Sequence, residues 1–233
     1  MSAHEIIKNA LKEGRKKLLE HEAMKLLEIY EIPVAKYGIV QNEDEAVKIA
    51  NDIGYPVVLK IVSPDISHKT DVGGVIVGVK NESELRESFR KILDNVKLRA
   101  PSARIAGILI QEMVPDGLEV IVGATRDPIF GPVIMFGLGG IFVEVLKDVS
   151  FRVAPLMPED ADEMVREIKS YKILEGYRGM PPRDIEIIKE IIMKTSRIMI
   201  EIPQIQDIDL NPIMLYEKGK GAIVVDARII IKS

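Results

Sequence analysis

The spacing of apolar and polar residues predicts a helix followed by alternating strands and helices in the first half of the chain. Leu19, Ala23, Leu26, Leu27 and Tyr30 recur at helical spacing, so we expect one helix over residues 1–30. The stretches that follow predict strands at 34–40, 56–62, 75–79 and 107–114, with helices at 42–54 and 82–95. This order is typical of a compact α/β unit.

The second half of the chain has a different pattern, in which strands follow one another directly. Two strands joined by a turn of hairpin type are followed by a glycine-rich turn at 137–140. The predicted strands are 118–125, 132–137, 151–155, 204–215 and 222–231, and the predicted helices are 158–170 and 183–201. We therefore expect two packed lobes, the second of them α+β with a largely antiparallel sheet.

Composition and charge exclude several classes of protein. The chain has 233 residues, a net charge of −4 and no cysteine, and its pI is about 5.6. A nucleic-acid partner is not expected, because such proteins usually carry a basic surface. The chain has no apolar run of the roughly 18 residues that span a bilayer, and its charged start does not resemble a signal peptide. We expect a cytoplasmic protein, and the abundance of Ile, Glu and Lys favours a thermophilic source.

Polar and apolar residues alternate in the first of the two final strands. Residues 207–211 read Asp-Ile-Asp-Leu-Asn. Because successive strand side chains point to opposite faces, the three polar side chains, including Asp209 and Asn211, are expected on one face. Pro212 interrupts the strand pairing directly afterwards.

The last strand carries one carboxylate, Asp226, in an otherwise apolar run. Burying a carboxylate costs free energy unless a cation or hydrogen bonds compensate it. Asn211 and Asp226, on neighbouring strands, offer two oxygen ligands of the kind that hold Mg²⁺ together with phosphates and water. The pattern predicts a magnesium site, or alternatively a surface strand in which Asp226 pairs with Arg228.

Lys60 and His68 are candidates for phosphate chemistry. Lys60 comes late in the apolar strand 56–62, where a lysine must reach solvent, pair with an acid or bind an anion. His68 lies in the polar loop 63–74, which is rich in turn-forming residues, as functional loops often are. The alternatives are a lysine at a sheet edge and an ordinary surface histidine.

Two further segments are candidate ligand contacts. Glu112, Met113 and Val114 end the strand that leaves the first lobe, and Glu119 begins the next strand. Segments of this kind often line ligand sites, although core packing is the alternative for the two apolar residues. The glycines at 73–74 and 137–140 are able to place N–H groups near an anion.

The order of these features resembles the ATP-grasp superfamily. Four segments also closely resemble the β subunits of ADP-forming acetyl-CoA synthetases: Tyr-Pro-Val-Val-Leu-Lys at 55–60, Ser-Pro-Asp-Ile-Ser-His-Lys-Thr-Asp-Val-Gly-Gly-Val at 63–75, Asp-Ile-Asp-Leu-Asn-Pro at 207–212 and Val-Asp-Ala-Arg at 225–228. The string His-Lys-Thr-Asp-Val-Gly-Gly is quite specific to that family. Residues 139–144 resemble a loop of the related succinyl-CoA synthetases.

The resemblance implies a fold and a role for each candidate residue. The implied ATP-grasp fold has a small α/β subdomain at 31–112, inserted into a larger subdomain made of 1–30 and 113–233. For the nucleotide, the implied roles are phosphate binding for Lys60, adenine binding for the segment Glu112, Met113 and Val114, and ribose binding for Glu119. Asn211 and Asp226 are implied to bind Mg²⁺. His68 is implied to accept the phosphoryl group, and Asp209 to position His68 near the nucleotide.

The implied activity is that of the nucleotide-binding β subunit of an ADP-forming acyl-CoA synthetase. Its reaction is acyl-CoA + ADP + phosphate ⇌ acid + ATP + CoA, run through phosphohistidines. The chain has no G-x-G-x-x-G after a strand, so the resemblance implies a separate α subunit with the CoA and acyl sites, in an expected α₂β₂ assembly. The alternatives are a self-sufficient ATP-grasp ligase and a non-catalytic nucleotide-binding regulatory subunit.

Overall fold

The computed structural model of the chain describes residues 1–140, 143 and 145–232. The helices are α1 (Ala3–Lys12), α2 (Glu20–Ile29), α3 (Glu43–Ile53), α4 (Glu82–Arg99), α5 (Pro158–Glu167), α6 (Tyr171–Leu174) and α7 (Ile185–Glu201). The strands are β1 (Tyr37–Val40), β2 (Val57–Val62), β3 (Val75–Val79), β4 (Gly107–Glu112), β5 (Leu118–Asp127), β6 (Gly131–Leu138), β7 (Val149–Val153), β8 (Ile205–Leu215), β9 (Ala222–Val224) and β10 (Ala227–Ile231). Among the described helices, none combines the length and the apolar character needed to cross a membrane.

Contacts divide the chain into two compact units. The larger unit comprises Met1–Leu18, Glu22–Val34 and Asp116–Ser233, and the smaller comprises Leu19–His21 and Ala35–Pro115. Helix α2 therefore begins in the smaller unit and continues along the chain in the larger one. The smaller unit shares most of its residues with the subdomain expected at 31–112 and differs from it at both ends.

The smaller unit is a four-stranded antiparallel sheet in the order β1-β4-β2-β3. Helices α3 and α4 pack against it, and each begins at an asparagine whose side chain accepts a backbone N–H at 3.0 Å, Asn42 in α3 and Asn81 in α4. Apolar side chains of the sheet and helices, among them Leu59, Ile92 and Ile110, form a buried core. Strand β2 is buried along its whole length, which places Lys60 in an apolar setting.

The larger unit is built on an antiparallel sheet in the order β10-β8-β5-β6-β7, with β9 also paired to β8. Helix α7 contributes buried residues such as Ile191 and Ile192, and it contacts β5, β6 and β8. Strand β8 lies centrally and alternates as predicted, with Ile208 and Leu210 buried. The prediction of a largely antiparallel sheet in this half is confirmed.

The single helix predicted over residues 1–30 is wrong. Helix α1 ends at Lys12, Gly14 adopts φ 71°, and the next residues extend along the edge of the sheet. There Leu18 donates its N–H to the Ile229 carbonyl at 3.0 Å, and Lys17 bridges Ile230. Glycine favours the left-handed conformation that ends helices, and pairing with β10 then outweighs the helical propensity of this segment.

The final strand, predicted as continuous over 222–231, is split into β9 and β10. Val225 and Asp226 lie in the gap, and Val225 donates its N–H to the carbonyl of Pro212 at 3.0 Å. Pro212 has no N–H that could donate back to Val225, so the regular strand pairing is interrupted at this point. The interruption places Asp226 beside β8 outside a regular strand.

Candidate active site

Asn211 and Asp226 are neighbours at the break in the larger sheet. The Asn211 N–H donates to the Asp226 carbonyl at 3.2 Å, and the Ala227 N–H donates to Asp226 Oδ1 at 2.8 Å. Two residues of β8, Asn211 and Pro212, lie opposite the single residue Ile121 of β5. Such a bulge bends a strand and changes the direction of its side chains, and Asn211 is exposed there.

The two aspartates before Asn211 have different surroundings. Asp207 accepts a hydrogen bond from the Thr125 hydroxyl at 2.6 Å, so its carboxylate has a structural partner. Asp209 is opposite Arg228 in the pairing of β8 with β10. Burial raises the pKa of Asp209 and Asp226 raises it further, while Arg228 acts in the opposite direction. Asp209 is thus a partly buried carboxylate whose ionisation is disfavoured.

The larger unit offers a donor set that suits Mg²⁺ only in the presence of other ligands. Within the residues that the structure describes, no group of three or more His, Cys, Asp or Glu side chains is arranged to hold a metal ion. Asp226 and Asn211 supply one carboxylate and one amide, and Mg²⁺ usually takes one or two protein oxygens with phosphates and water. These residues fit a magnesium ion that arrives with a nucleotide, rather than a permanent all-protein site.

Glu119 lies next to the glycine-rich turn that ends β6. The Gly139 N–H donates to the Glu119 carbonyl at 2.8 Å, and a Cβ on Gly139 would come within 2.9 Å of the Glu119 Cβ. Gly140 is also close, since a Cβ there would be 3.7 Å from Glu119 Oε2. The glycines let the turn approach Glu119 closely, and the Glu119 side chain remains exposed. Ile141, Phe142 and Glu144 of the segment 139–144 lie outside the described residues.

In the smaller unit, Lys60 pairs with an acid that sequence reasoning missed. Its ammonium is 2.7 Å from Glu20 Oε1, and Lys69 Nζ contacts the other oxygen, Oε2. The Glu20 side chain is 3% exposed. Burial acts to raise the pKa of Glu20, but the two lysines outweigh it and the pKa is lowered, so Glu20 is ionised. The sequence predicted that Lys60 reaches solvent, pairs with an acid or binds an anion. The structure shows that it pairs with an acid.

His68 lies exposed in the loop between β2 and β3, and fixed contacts lie on both sides of it. Before it, Asp65 makes a two-bond ion pair with Arg104, at 2.8 Å and 3.0 Å. After it, the Lys69 carbonyl accepts the Gly74 N–H at 2.8 Å. The loop thus presents an imidazole to solvent from a restrained backbone.

The segment after β4 is fixed by its neighbours in the smaller unit. Glu112 exchanges two hydrogen bonds with Lys36, through its N–H at 2.8 Å and its side-chain Oε2 at 3.1 Å. The Met113 N–H donates to the Pro56 carbonyl at 3.4 Å. Proline cannot donate a bond back, so the Met113 carbonyl receives none from Pro56. Met113 is exposed, which argues against the core-packing alternative for that residue.

The two glycine-rich segments do not offer all the N–H groups that the sequence suggested. The N–H groups of Gly73 and Gly74 donate to Thr70 and Lys69 within their own loop, and that of Gly139 donates to Glu119. Their donors are therefore used by the protein itself. That part of the prediction is wrong.

The structure brings the predicted site residues together in two groups, one in each unit. Asp209 and Asn211 lie on β8 of the larger unit, and Asp226 lies beside them in the gap between β9 and β10; the same unit also holds Glu119. Lys60 and the His68 loop belong to the smaller unit, together with residues 112–114. Glu20 and Lys69 were missed, although Lys69 directly follows His68 in the string His-Lys-Thr-Asp-Val-Gly-Gly.

A family model described as an ATP-grasp domain matches residues 9–231 of the chain. The β subunit of ADP-forming acetate–CoA ligase I from Pyrococcus furiosus is 55% identical over 229 residues, which cover 98% of this chain and 97% of that protein. The matched region therefore includes every predicted site residue.

Solved structures of acetyl-coenzyme A synthetase 1 from Ca. Korarchaeum cryptofilum have the same fold. One, in complex with coenzyme A and Ca-AMPCP, has a TM-score of 0.94 at 52% identity and covers 99% of this chain and 100% of that chain. Another, described as containing a phosphorylated phosphohistidine segment, has a TM-score of 0.93 at 50% identity with the same coverage. The ATP-grasp fold predicted from the sequence is confirmed. The chain belongs to the ATP-grasp family and, within it, to the β subunits of the ADP-forming acetate–CoA ligases.

Proposed function

We propose that this ligase subunit transfers a phosphoryl group between His68 and ADP, in the reaction acyl-CoA + ADP + phosphate ⇌ acid + ATP + CoA. The observation that carries the proposal is the exposed His68 in a loop restrained on both sides, in which the next residue, Lys69, shares one buried carboxylate with Lys60. The phosphohistidine segment named for a 50% identical structure supports it.

The transfer makes one bond and breaks another. A ring nitrogen of His68 forms a P–N bond to the terminal phosphorus of ATP, while the P–O bond to ADP breaks; the reverse step makes ATP. A carboxylate that accepts a hydrogen bond from the N–H of the other ring nitrogen fixes the tautomer that leaves the first nitrogen free. We assign this orienting role to Asp209.

The nucleotide contacts are proposed residue by residue. Lys60 binds phosphate oxygens, for which a buried ammonium is well suited because low local polarity strengthens its attraction to anions. Met113 is the candidate for adenine, since it directly follows the strand that leaves the smaller unit and its side chain is exposed. Glu119, exposed beside Gly140, is assigned to the ribose hydroxyls.

Asn211 and Asp226 are proposed to hold Mg²⁺ when it enters with the nucleotide. Bound there, the ion would neutralise charge on the phosphates during a transfer whose transition state is loose and highly charged. Asp226 Oδ1 accepts the Ala227 N–H at 2.8 Å, which restrains the carboxylate. Asn211 adds a neutral oxygen from the bulge of β8.

A second subunit is proposed to supply the rest of the reaction. The most similar proteins described above include one named as a β subunit, and that name implies a partner. We propose an α subunit that carries the CoA and acyl sites, with α₂β₂ as the expected assembly.

The source and location of the protein are proposed from composition and surface charge. The cysteine-free composition is the basis for a cytoplasmic location. A thermophilic source is supported by a surface ion-pair network in which Arg86 contacts Glu43, Asp44 and Glu82, since such networks stabilise proteins most at high temperature.

The first experiment is transfer of label from γ-labelled Mg·ATP to the chain, with and without the co-purified partner. We expect acid-labile, base-stable label that His68→Ala abolishes. His4→Ala is the matched control, because His4 is also an exposed histidine, and it should label like the parent.

Two outcomes would overturn the proposal. Nucleotide binding without any label would favour the regulatory subunit. Turnover by the chain alone that persists in His68→Ala would favour the self-sufficient ligase.

A further inference from the structure

Glu20 is a buried acid that contacts two lysines with separate oxygens. It is the first residue of α2, and its carboxylate lies 2.7 Å from Lys60 Nζ through Oε1 and contacts Lys69 Nζ through Oε2. The Lys60 and Lys69 side chains are themselves 10% and 20% exposed. Charged groups withdrawn from water to this extent are costly, so the arrangement calls for a reason beyond stability.

The two lysines come from different parts of the smaller unit. Lys60 is fixed in the fully buried strand β2, opposite Leu109 of β4 and Val75 of β3. Lys69 belongs to the β2–β3 loop and immediately follows His68 in the chain. Glu20 is thus a bridge from the rigid sheet to the loop that presents His68.

Lys69 is held at two points, which makes the bridge effective. Its side chain contacts Glu20, and its carbonyl accepts the Gly74 N–H at 2.8 Å. Gly74 in turn is fixed to the sheet, since its carbonyl accepts the Ile61 N–H at 2.7 Å. The backbone next to His68 is therefore tied to β2 through the chain and through the Glu20 carboxylate.

We propose that Glu20 is a positioning residue for phosphoryl transfer, which sets the place of His68 relative to Lys60 by holding Lys69. The inference rests on the proposed function, because it concerns the same histidine and the same lysine. It assigns to Lys69 the role of the link, and it gives a reason for burying a carboxylate between two ammonium groups.

The variant that tests the inference is Glu20→Gln in the full-length chain. Its amide can contact one lysine but cannot pair with both charges. We expect single-turnover labelling of His68 to slow by about 10–100-fold, since misplacement of a reacting group by about 1 Å costs rate on this scale. The affinity for Mg·ADP should stay the same or increase, because a negative charge beside a phosphate-binding lysine has been removed.

Slow labelling together with an undiminished affinity for Mg·ADP distinguishes a positioning role from loss of folding. An unfolding variant would lose binding sites and labelling in proportion, whereas the expected variant binds fully and transfers slowly. Glu20→Asp keeps the charge on a shorter side chain and should recover part of the rate. Glu22→Gln is the matched control, because Glu22 also forms an ion pair from α2, with Arg15 at 2.6 Å, and it should label at the parental rate.

Two further measurements test the link through Lys69. If Glu20 acts through Lys69, Glu20→Gln should add little to the loss caused by Lys69→Gln, so that the double variant labels at the rate of Lys69→Gln. Trypsin should also cleave after Lys69 faster in Glu20→Gln than in the parent, because the side chain has lost its ionic anchor. If the rate losses of Glu20→Gln and Lys69→Gln multiply in the double variant, the two residues act independently and the inference is overturned. Unchanged labelling and cleavage in Glu20→Gln would also overturn it.

Failure of the proposed function is recognised separately. If the parent chain takes no label on His68, the phosphoryl relay is refuted by the parent alone. The positioning of the loop is then decided by tryptic cleavage after Lys69, which does not depend on activity, and equal cleavage of parent and Glu20→Gln would refute it.

Discussion

At the scale of single residues, Asp209 combines a cost in stability with a proposed role in phosphoryl transfer. Its pKa is raised, first by burial and then by Asp226, against the attraction of Arg228. A carboxylate whose pKa is raised on folding binds its proton more tightly in the folded protein, so stability falls as the pH rises through the range between the two values. At neutral pH the raised pKa of Asp209 therefore costs the fold stability.

The first prediction is that Asp209→Asn stabilises the chain while it slows labelling of His68. At pH 7 we expect the Tm to rise by about 2–4 °C, the change that about 1 kcal/mol produces in a chain of this size. Below about pH 3, where an aspartate is protonated in either state, the gain should vanish. Thermal melts at the two pH values measure it, and an equal gain at both would show that ionisation is not the cause.

Residues of the site differ in how visible they are in the sequence. The alternation of 207–211 predicts Ile208 and Leu210 on one face, because a strand has a fixed period of two, and both are buried. Glu20 could not be predicted, because it reads as an ordinary glutamate of an amphipathic helix. Its partner Lys60 is 40 residues away, and no local pattern encodes a contact over that distance.

At the scale of elements, the junction of the His68 loop with β3 depends on a glycine. A Cβ on Gly74 would lie 2.4 Å from Ile61 Cγ2 and 3.0 Å from the Lys69 carbonyl oxygen. Ile61 is fully buried and lies in β2, so it has little room to move. The close approach of loop and strand therefore requires a residue without a side chain.

The second prediction is that Gly74→Ala lowers the free energy of unfolding by about 1–3 kcal/mol, the usual cost of overpacking a core. Denaturant unfolding measures this loss. Gly123→Ala is the matched control in a strand, since the nearest atom there is the flexible tip of Met135 at 3.2 Å. A loss in Gly74→Ala no larger than in the control would contradict the packing argument.

The elements also show where periodicity fails as a guide. Residues 13–19 continue a plausible helical pattern, yet Leu18 pairs with Ile229 at the edge of the sheet. The run 222–231 reads as one strand, yet Pro212 on the neighbouring strand interrupts it at Asp226. In both places the residue that decides the strand pairing lies far along the chain, so a local pattern carries no information about it.

At the scale of the whole molecule, the resemblance of motifs predicted more than periodicity did. The ATP-grasp fold and the kinship with β subunits were predicted from the order of the candidate site residues and from four short segments, whereas periodicity predicted only the order of strands and helices. The pairing of Lys60 with Glu20 and the bulge at Asn211 depend on how the chain packs, and they appear only in the structure.

The last prediction uses the stability of the whole chain to test the proposed magnesium ligands, Asn211 and Asp226. A ligand that binds only the folded state at 100 times its Kd stabilises it by about 2.7 kcal/mol, or about 5–11 °C in Tm for a chain of this size. We expect saturating Mg·ATP to produce such a rise in the parent. EDTA should reduce it, because the proposal is that Asn211 and Asp226 act on the nucleotide through the metal.

Asp226→Asn should bind Mg·ATP about tenfold more weakly, since about 1.4 kcal/mol is lost with the charge, so the rise in Tm at the same concentration should be about half. Asp207→Asn is the matched control from the neighbouring strand, because Thr125 already holds the Asp207 carboxylate at 2.6 Å. Each rise is measured against the nucleotide-free Tm of the same variant. If Mg·ATP raises the Tm of Asp226→Asn as much as that of Asp207→Asn at every magnesium concentration, Asp226 does not hold the metal. Its place in the break between β9 and β10 then has a structural role alone.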